Sequence, residues 1–115
     1  MSYTPRRVDI IHLEFDPATG REMKDSHFAF VLGGHLFNQH GLAVICPILQ
    51  GAARFARTYG AVVSWMGLGP DTPGAIHCHQ VSSLDWQLRR ARFRESTPQA
   101  LIDEVSGRVG AILFD

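Results

Sequence analysis

The chain has 115 residues, of which 45% are hydrophobic and 19% charged, and its 11 basic residues balance its 11 acidic ones. This length fits one domain, and this composition excludes a disordered tail. No run of about 18 apolar residues occurs, so we expect no membrane span. The first residues, MSYTPRRVDIIHLEF, lack the apolar stretch and cleavage site of a signal peptide. We therefore expect a cytoplasmic protein.

Cysteine and arginine usage narrow the chemistry further. Cys46 and Cys78 both lie in apolar runs, which indicates two buried, reduced thiols and no disulfide framework. All but one of the basic residues are arginine, whose planar fork binds phosphate in a two-pronged way that lysine cannot match. Four of them lie close together without an acid between them: Arg89, Arg90, Arg92 and Arg94. This run is either a solvated strand and turn or a phosphate-binding stripe.

The first half of the chain has mostly strand-like periodicity. Ile11, Leu13 and Phe15 alternate with polar residues, which predicts a half-buried strand followed by a turn and a polar loop to residue 26. Apolar runs predict further strands at 28–32 and at 42–46, the latter closed by Pro47. Between them, 35–40 fits one helical turn. Residues 50–60 are predicted to form a longer loop, and 61–66 a fourth strand.

The second half adds two strands and a helix. A turn-rich stretch at 67–74 precedes predicted strands at 75–81 and 91–94. Residues 96–99 resemble a helix start, and apolar residues from Leu101 onward recur at helical spacing. Gly107 and Gly110 weaken that helix by about 1 kcal/mol each relative to alanine, so it depends on packing. The pattern predicts one domain, residues 1–115, that is mainly β with a C-terminal helix and closes as a small bent barrel.

In order and register, these segments resemble the MazF/Kid (PemK)/ChpB toxins. The resemblance is carried by FDPATGRE (15–22), HLFNQHGLAVICPI (35–48), QGAARFARTYG (50–60), HCHQVSSLDW (77–86) and PQALIDEVSGRVGAIL (98–113). It implies an SH3-like barrel that forms a homodimer and binds a cognate antitoxin. It also implies sequence-selective cleavage of single-stranded RNA through attack of a ribose 2′-hydroxyl, without metal or other cofactor.

At the positions that carry the family's chemistry, this chain has unusual residues. The arginine expected before the second strand is His27, and the threonine or serine expected after the third is Leu49. The arginine and aspartate expected two residues apart on the fifth strand are His77 and His79, and a histidine expected in the first loop is Arg21. Four polar positions have therefore changed type, and a fifth, Leu49, has lost its polarity.

Two interpretations follow from these departures. In the first, His77 and His79 project from one strand face and act as base and acid, Arg21 holds the phosphate and His27 assists. In the second, catalysis has decayed, because Leu49 offers no hydrogen bond, and the chain is a non-cleaving module that binds RNA, antitoxin or another protein. The resemblance places further RNA-binding candidates at Glu22, Gln50, Arg54, Arg57 and Gln80.

The histidines and tryptophans allow two further interpretations. His77 and His79 could ligate a metal with His27, His35 or His40 as a third ligand, but this spacing matches no recognised zinc site, so we expect none. The two tryptophans, Trp65 and Trp86, could stack on bases or belong to the core or a dimer contact.

Overall fold

The computed structural model describes residues 3–14, 27–65 and 69–114. Seven strands and three helices are found there: β1 (Asp9–Leu13), β2 (His27–Val31), α1 (His35–Asn38), β3 (Leu42–Leu49), α2 (Arg54–Tyr59), β4 (Val62–Val63), β5 (Ala75–His77), β6 (Ser82–Asp85), β7 (Arg92–Ser96) and α3 (Ala100–Phe114). A single 3-10 turn, Cys78–Gln80, separates β5 from β6. The predicted mainly β fold with a C-terminal helix is confirmed.

The strands form one antiparallel sheet in the order β4-β5-β3-β2-β1-β7, with β6 also paired to β3. One face carries the core that includes Ile10 and Phe30, and α3 packs there through Leu101, Val105 and Val109. These three helix residues recur at four-residue intervals, as a buried helical stripe requires. The other face carries a second core around Ile11, Ile45 and Trp86 and others. None of the three helices described is long and apolar enough to cross a membrane.

Strand β3 extends further than predicted. Proline was expected to close it at residue 46, yet Pro47 lies within the strand, opposite Ala29 of β2. On its other edge, β3 pairs with β6 through Ile45 and with β5 only from Ile48 onward. Pro47 therefore lies at the changeover between two partner strands, where it has no paired residue on β5 or β6 that needs its missing N–H.

The regions on either side of β4 also differ from the prediction. Residues 54–59, expected as loop, form helix α2, which buries Ala56 and ends at Gly60 in the left-handed conformation (φ 87°). The predicted strand 75–81 ends at His77, and β6 was missed because Ser82-Ser83-Leu84-Asp85 is too polar to read as a strand. The start of α3 was placed too early. Ser96 ends β7, and the Thr97 hydroxyl donates to the Val8 carbonyl oxygen instead of capping the helix.

Asn38 fixes the connection between β2 and β3. Its buried amide donates to the carbonyl oxygens of Pro5 and Gly33 at 3.0 and 3.1 Å. The backbone carbonyl oxygen of Asn38 accepts a hydrogen bond from the indole N–H of Trp86 at 2.7 Å. Trp65 is likewise buried and donates to the Thr72 carbonyl, so both tryptophans belong to the core.

We expect Asn38→Ala to lower the free energy of unfolding by about 1–3 kcal/mol, because two buried carbonyl groups lose their donor. Chemical denaturation followed by circular dichroism measures this loss. Gln39→Ala, at the exposed neighbouring position, is the matched control and should change stability by less than about 0.5 kcal/mol. Equal stability of the two variants would contradict this role for Asn38.

Candidate functional site

The segment His77–Gln80 contributes to three neighbouring cavities. His77 lines a recess of about 190 Å³ together with Leu49 and Arg57; we call it the histidine recess. His79 lines an apolar groove of about 280 Å³ with Phe55, Tyr59 and Ile112, the aromatic groove. Gln80 lines a larger cavity of about 330 Å³, the polar cleft. Residues 77–80 thus contribute to three cavities whose linings differ in polarity.

His77 and His79 lie side by side, with ring centroids 5.5 Å apart. The prediction that both belong to one strand is wrong, because β5 ends at His77 and His79 lies in the 3-10 turn. That turn packs Cys78 into the core while keeping both imidazoles together. His79 also meets the edge of Phe55 at 5.9 Å between centroids. The structure therefore produces the expected pair by a different backbone path.

His77 is buried more deeply than an exposed strand residue would be. Only 2% of it is accessible, and neither ring nitrogen makes a hydrogen bond of good geometry to the described residues. Burial lowers the pKa of His77, the neighbouring His79 lowers it further, and the backbone of Leu49 opposes both. At neutral pH this imidazole is therefore uncharged and able to accept a proton.

The wall of the histidine recess is built by a close approach between two chain segments. Gly74 has a φ of 110°, and a Cβ there would come 2.8 Å from the Leu49 carbonyl oxygen. Glycine is therefore required where the turn before β5 crosses the end of β3. Arg57, exposed on α2, supplies the cationic side chain of the recess, whereas Leu49 adds only a hydrocarbon surface.

The polar cleft brings together two of the other candidate residues. His27 and Gln80 both line it, with Glu14, Arg89 and Ser82 among the polar neighbours. Sequence reasoning missed Glu14 and Ser82 as site residues, because neither belongs to a motif and β6 itself was not predicted. Arg89 could have been found from the sequence, because it belongs to the run of arginines noted there as a possible phosphate-binding stripe.

His27 and His77 do not line the same cavity. Phe28, Ile48 and Ile76 stand opposite one another on β2, β3 and β5, so His27 and Leu49 point to the other sheet face. His77 shares that face, two residues beyond Ala75, so its Cα atom is roughly 12 Å from that of His27. Leu49 and Pro47 lie between them. A ligand contacting both histidines must span this apolar divide.

The remaining candidates are distributed unevenly. Gln50 is exposed just after β3, and Arg54 is exposed at the first turn of α2, so both border the histidine recess region without lining it. Arg21 and Glu22 lie outside the described residues. Phe55 and Tyr59, exposed beside His79, were not predicted as site residues because 50–60 was expected to be loop.

Within residues 3–14, 27–65 and 69–114, no three histidine, cysteine, aspartate or glutamate side chains come together as a metal site would require. Cys46 and Cys78 are free and buried. Burial raises the pKa of Cys46 to about 12 and that of Cys78 to about 11. Both thiols are therefore protonated at neutral pH and are unsuited to nucleophilic chemistry.

Comparison with known proteins gives consistent matches. Residues 6–113 match the family described as PemK-like, MazF-like toxin of type II toxin-antitoxin system. The chain is 32% identical over 108 residues to Endoribonuclease PemK of Escherichia coli, covering 93% of this chain and 80% of that protein. It is also 32% identical to Endoribonuclease toxin ChpB of Escherichia coli (strain K12), covering 93% and 92%. A solved MazE-MazF structure from Deinococcus radiodurans superimposes with a TM-score of 0.82 at 30% identity, covering 97% of both chains.

The pKa of His77 makes stability depend on pH. Because folding lowers this pKa, the unfolded chain binds the proton more readily, and stability falls as the pH drops below about 6.5 toward the folded-state pKa. We expect His77→Phe, which fills the site without titrating, to flatten this loss between about pH 7 and pH 5. Denaturation at several pH values measures it.

His40→Phe, at an exposed position at the end of α1, is the matched control. It should retain the wild-type profile, including the part due to His12, whose pKa is lowered by burial and by Arg92. If His77→Phe and wild type lose stability in parallel, the buried imidazole is not responsible.

Proposed function

Because the chain belongs to the family of PemK-like, MazF-like toxins of type II toxin–antitoxin systems, we propose that it is a sequence-selective endoribonuclease acting on single-stranded RNA. The two Escherichia coli relatives are named as endoribonucleases, which supports this activity. The Deinococcus radiodurans structures hold MazF with MazE, which supports a cognate antitoxin as partner. We infer the homodimer and the cytoplasmic location from the same family relationship.

The observation that carries the proposal is the imidazole pair beside a guanidinium. Cleavage by the ribose 2′-oxygen needs a base to take the 2′-hydroxyl proton, an acid to protonate the leaving 5′-oxygen, and positive charge for the phosphorane. His77 and His79, 5.5 Å apart, offer two proton-transfer groups, and Arg57 lines the same recess as His77. The products are a 2′,3′-cyclic phosphate and a 5′-hydroxyl.

The roles follow from the surroundings of each ring. The lowered pKa of His77 suits it to accept the 2′-hydroxyl proton, and His79, less enclosed, donates to the leaving oxygen. Arg57 stabilises the phosphorane charge. His27 and Gln80, in the polar cleft, hold the adjoining nucleotide. Arg21, Glu22, Gln50 and Arg54 are proposed to contact the RNA on either side.

One observation favours a second candidate, a non-cleaving module that binds RNA or antitoxin. His77 is 2% exposed with both ring nitrogens enclosed, and Leu49 stands where a hydroxyl would hold a phosphate oxygen. In this case the same surfaces would bind a ligand without bringing the scissile bond to the buried ring.

For the nuclease, we expect His77→Ala and His79→Ala each to reduce cleavage of single-stranded RNA by about 100-fold or more, because each removes a proton-transfer group. The assay uses antitoxin-free protein in EDTA and identifies 2′,3′-cyclic phosphate ends by mass spectrometry. His40→Ala should cleave like wild type, and all three variants should keep the wild-type circular dichroism spectrum. Full activity in both site variants would refute the histidine assignment.

For the non-cleaving module, we expect labelled RNA to bind while remaining intact from mildly acidic to mildly basic pH. Leu49→Thr then tests whether the apolar side chain accounts for the lack of cleavage, because it places a hydroxyl in the histidine recess. If the apolar side chain blocks catalysis, this variant gains cleavage that wild type lacks. Cleavage by wild type itself would exclude this candidate.

A further inference from the structure

A row of cationic and aromatic side chains lies on the edge of the sheet away from the histidine pair. On β1, His12 stands opposite Phe28 of β2 on one side and opposite Arg92 of β7 on the other. Arg94 of β7 reaches over the Phe28 ring, with its guanidinium carbon 5.3 Å from the ring centroid. We call these four residues the arginine surface. None of them was a site candidate from the family resemblance.

A β-bulge is what brings the two arginines together with the ring. Ile11 pairs with Phe93 and Ile10 with Glu95, so Arg94 is an extra residue in β7 without a partner on β1. Such a bulge bends a strand and redirects the side chain of the extra residue. Here it directs Arg94 to the face of His12 and Phe28, where it also donates from Nε to the Thr72 hydroxyl at 3.4 Å.

The arginine surface presents only hydrogen-bond donors. Arg92 Nη2 lies 3.1 Å from His12 Nδ1, and because arginine can only donate, Nδ1 is the acceptor. His12 is then neutral with its proton on Nε2, consistent with a pKa lowered by burial and by Arg92. The imidazole and both guanidinium groups therefore offer N–H groups, which a phosphate oxygen accepts.

Two acids near this surface, Glu95 and Glu14, offset only part of its positive charge. Within the described part of the chain, the one ion pair joins Arg108 to Glu104 on α3 and involves neither Arg92 nor Arg94. Glu95 accepts hydrogen bonds from the Thr72 hydroxyl and from the backbone N–H groups of Asp71 and Thr72, and Arg94 helps to lower its pKa, so this acid offsets Arg94 in part but forms no ion pair with it. Glu14 is near enough to raise the pKa of His12 but makes no ion pair with Arg92.

We propose that the arginine surface is a second contact site for single-stranded RNA, separate from the histidine recess. Arg92 and Arg94 bind backbone phosphates, and a base stacks on the Arg94 guanidinium, which Phe28 supports from beneath. Planar guanidinium and aromatic groups bind bases irrespective of sequence, and this favours RNA over an acidic peptide. The inference rests on the proposed function, because it extends the RNA beyond the cleaved bond.

The position of the surface suits such an extension. The turn at 69–74 separates it from the histidine recess, since Thr72 contacts Arg94 on one side and Gly74 lines the recess on the other. An RNA long enough to contact both sites passes around this turn, from the sheet face of Phe28 to the opposite face of His77. The arginine surface then contributes affinity for long RNA without touching the scissile phosphate.

The test compares Arg92→Gln/Arg94→Gln with the charge-matched control Arg6→Gln/Arg90→Gln, whose two arginines are exposed and lie outside the surface. Binding of a fluorescent, cleavage-resistant 2′-O-methyl RNA of about twelve nucleotides is followed by anisotropy. We expect the first variant to bind about tenfold more weakly. The slope of the logarithm of its binding constant against the logarithm of the salt concentration should decrease in magnitude by about 1.4, the value for two single-strand phosphate contacts. The control should bind like wild type.

Phe28→Leu provides an independent variant, which keeps an apolar side chain but removes the ring. It should weaken binding at least about fivefold with an unchanged salt dependence, because stacking and not charge is lost. Equal binding by both arginine variants overturns the proposal. The proposal is also overturned if Arg92→Gln/Arg94→Gln loses binding to a glutamate-rich peptide but binds RNA like wild type, since the surface would then bind an acidic protein tail.

The two proposals fail separately. If His77→Ala abolishes cleavage and Arg92→Gln/Arg94→Gln binds like wild type, the nuclease stands and the second site falls. If wild type binds without cleaving and Arg92→Gln/Arg94→Gln loses binding, the second site stands and the nuclease falls.

Discussion

The structure depends on a change of partner along one edge of β3. Between Ile45 and Ile48, β3 advances three residues, while the facing chain runs six residues from Ile76 to Ser82. Three residues must therefore leave the plane of the sheet, and they form the 3-10 turn Cys78–Gln80. Pro47 lies at this changeover, where β3 is paired with neither β5 nor β6. The hydrogen-bond register of β3 thus determines where the 3-10 turn between β5 and β6 lies.

This turn explains the layout of the candidate site. A continuous strand would have placed His77 and His79 about 7 Å apart along one face, both equally exposed. In the turn, Cys78 is drawn into the core and His77 is enclosed, whereas His79 reaches the aromatic groove and Gln80 the polar cleft. Two chemically identical rings consequently have different surroundings. Differences in burial, more than in charge, distinguish the candidate base from the candidate acid.

The sequence predicted well those features that depend on local pattern. The helical periodicity of α3 matched its one buried stripe, and the continuous apolar run of β2 matched a strand buried on both faces. His77 and His79 lie together as expected, although not on one strand. Prediction from the sequence failed where a long-range pairing overrides local preference. Pro47 remains in a strand because of its neighbours on β2, and Ser82–Asp85 becomes a strand because β3 offers an unpaired edge. The bulge that groups Arg92 with Arg94 likewise depends on β1, so the arginine run alone could not separate a solvated face from a binding surface.

The residues around the histidine pair leave little permanent charge there for the proposed binding of RNA. Where the family resemblance led us to expect arginine and aspartate, this chain has two imidazoles, and His77 is neutral at physiological pH because of its burial. Leu49 removes a further polar contact from the histidine recess. The permanent charge of that recess is therefore reduced to Arg57, which is exposed and screened by salt. A single guanidinium binds a flexible polyanion weakly, so the arginine surface proposed on β7 would supply affinity that the histidine recess lacks. Weak charge at the histidine pair and strong charge at the sheet edge are, on this argument, two parts of one arrangement.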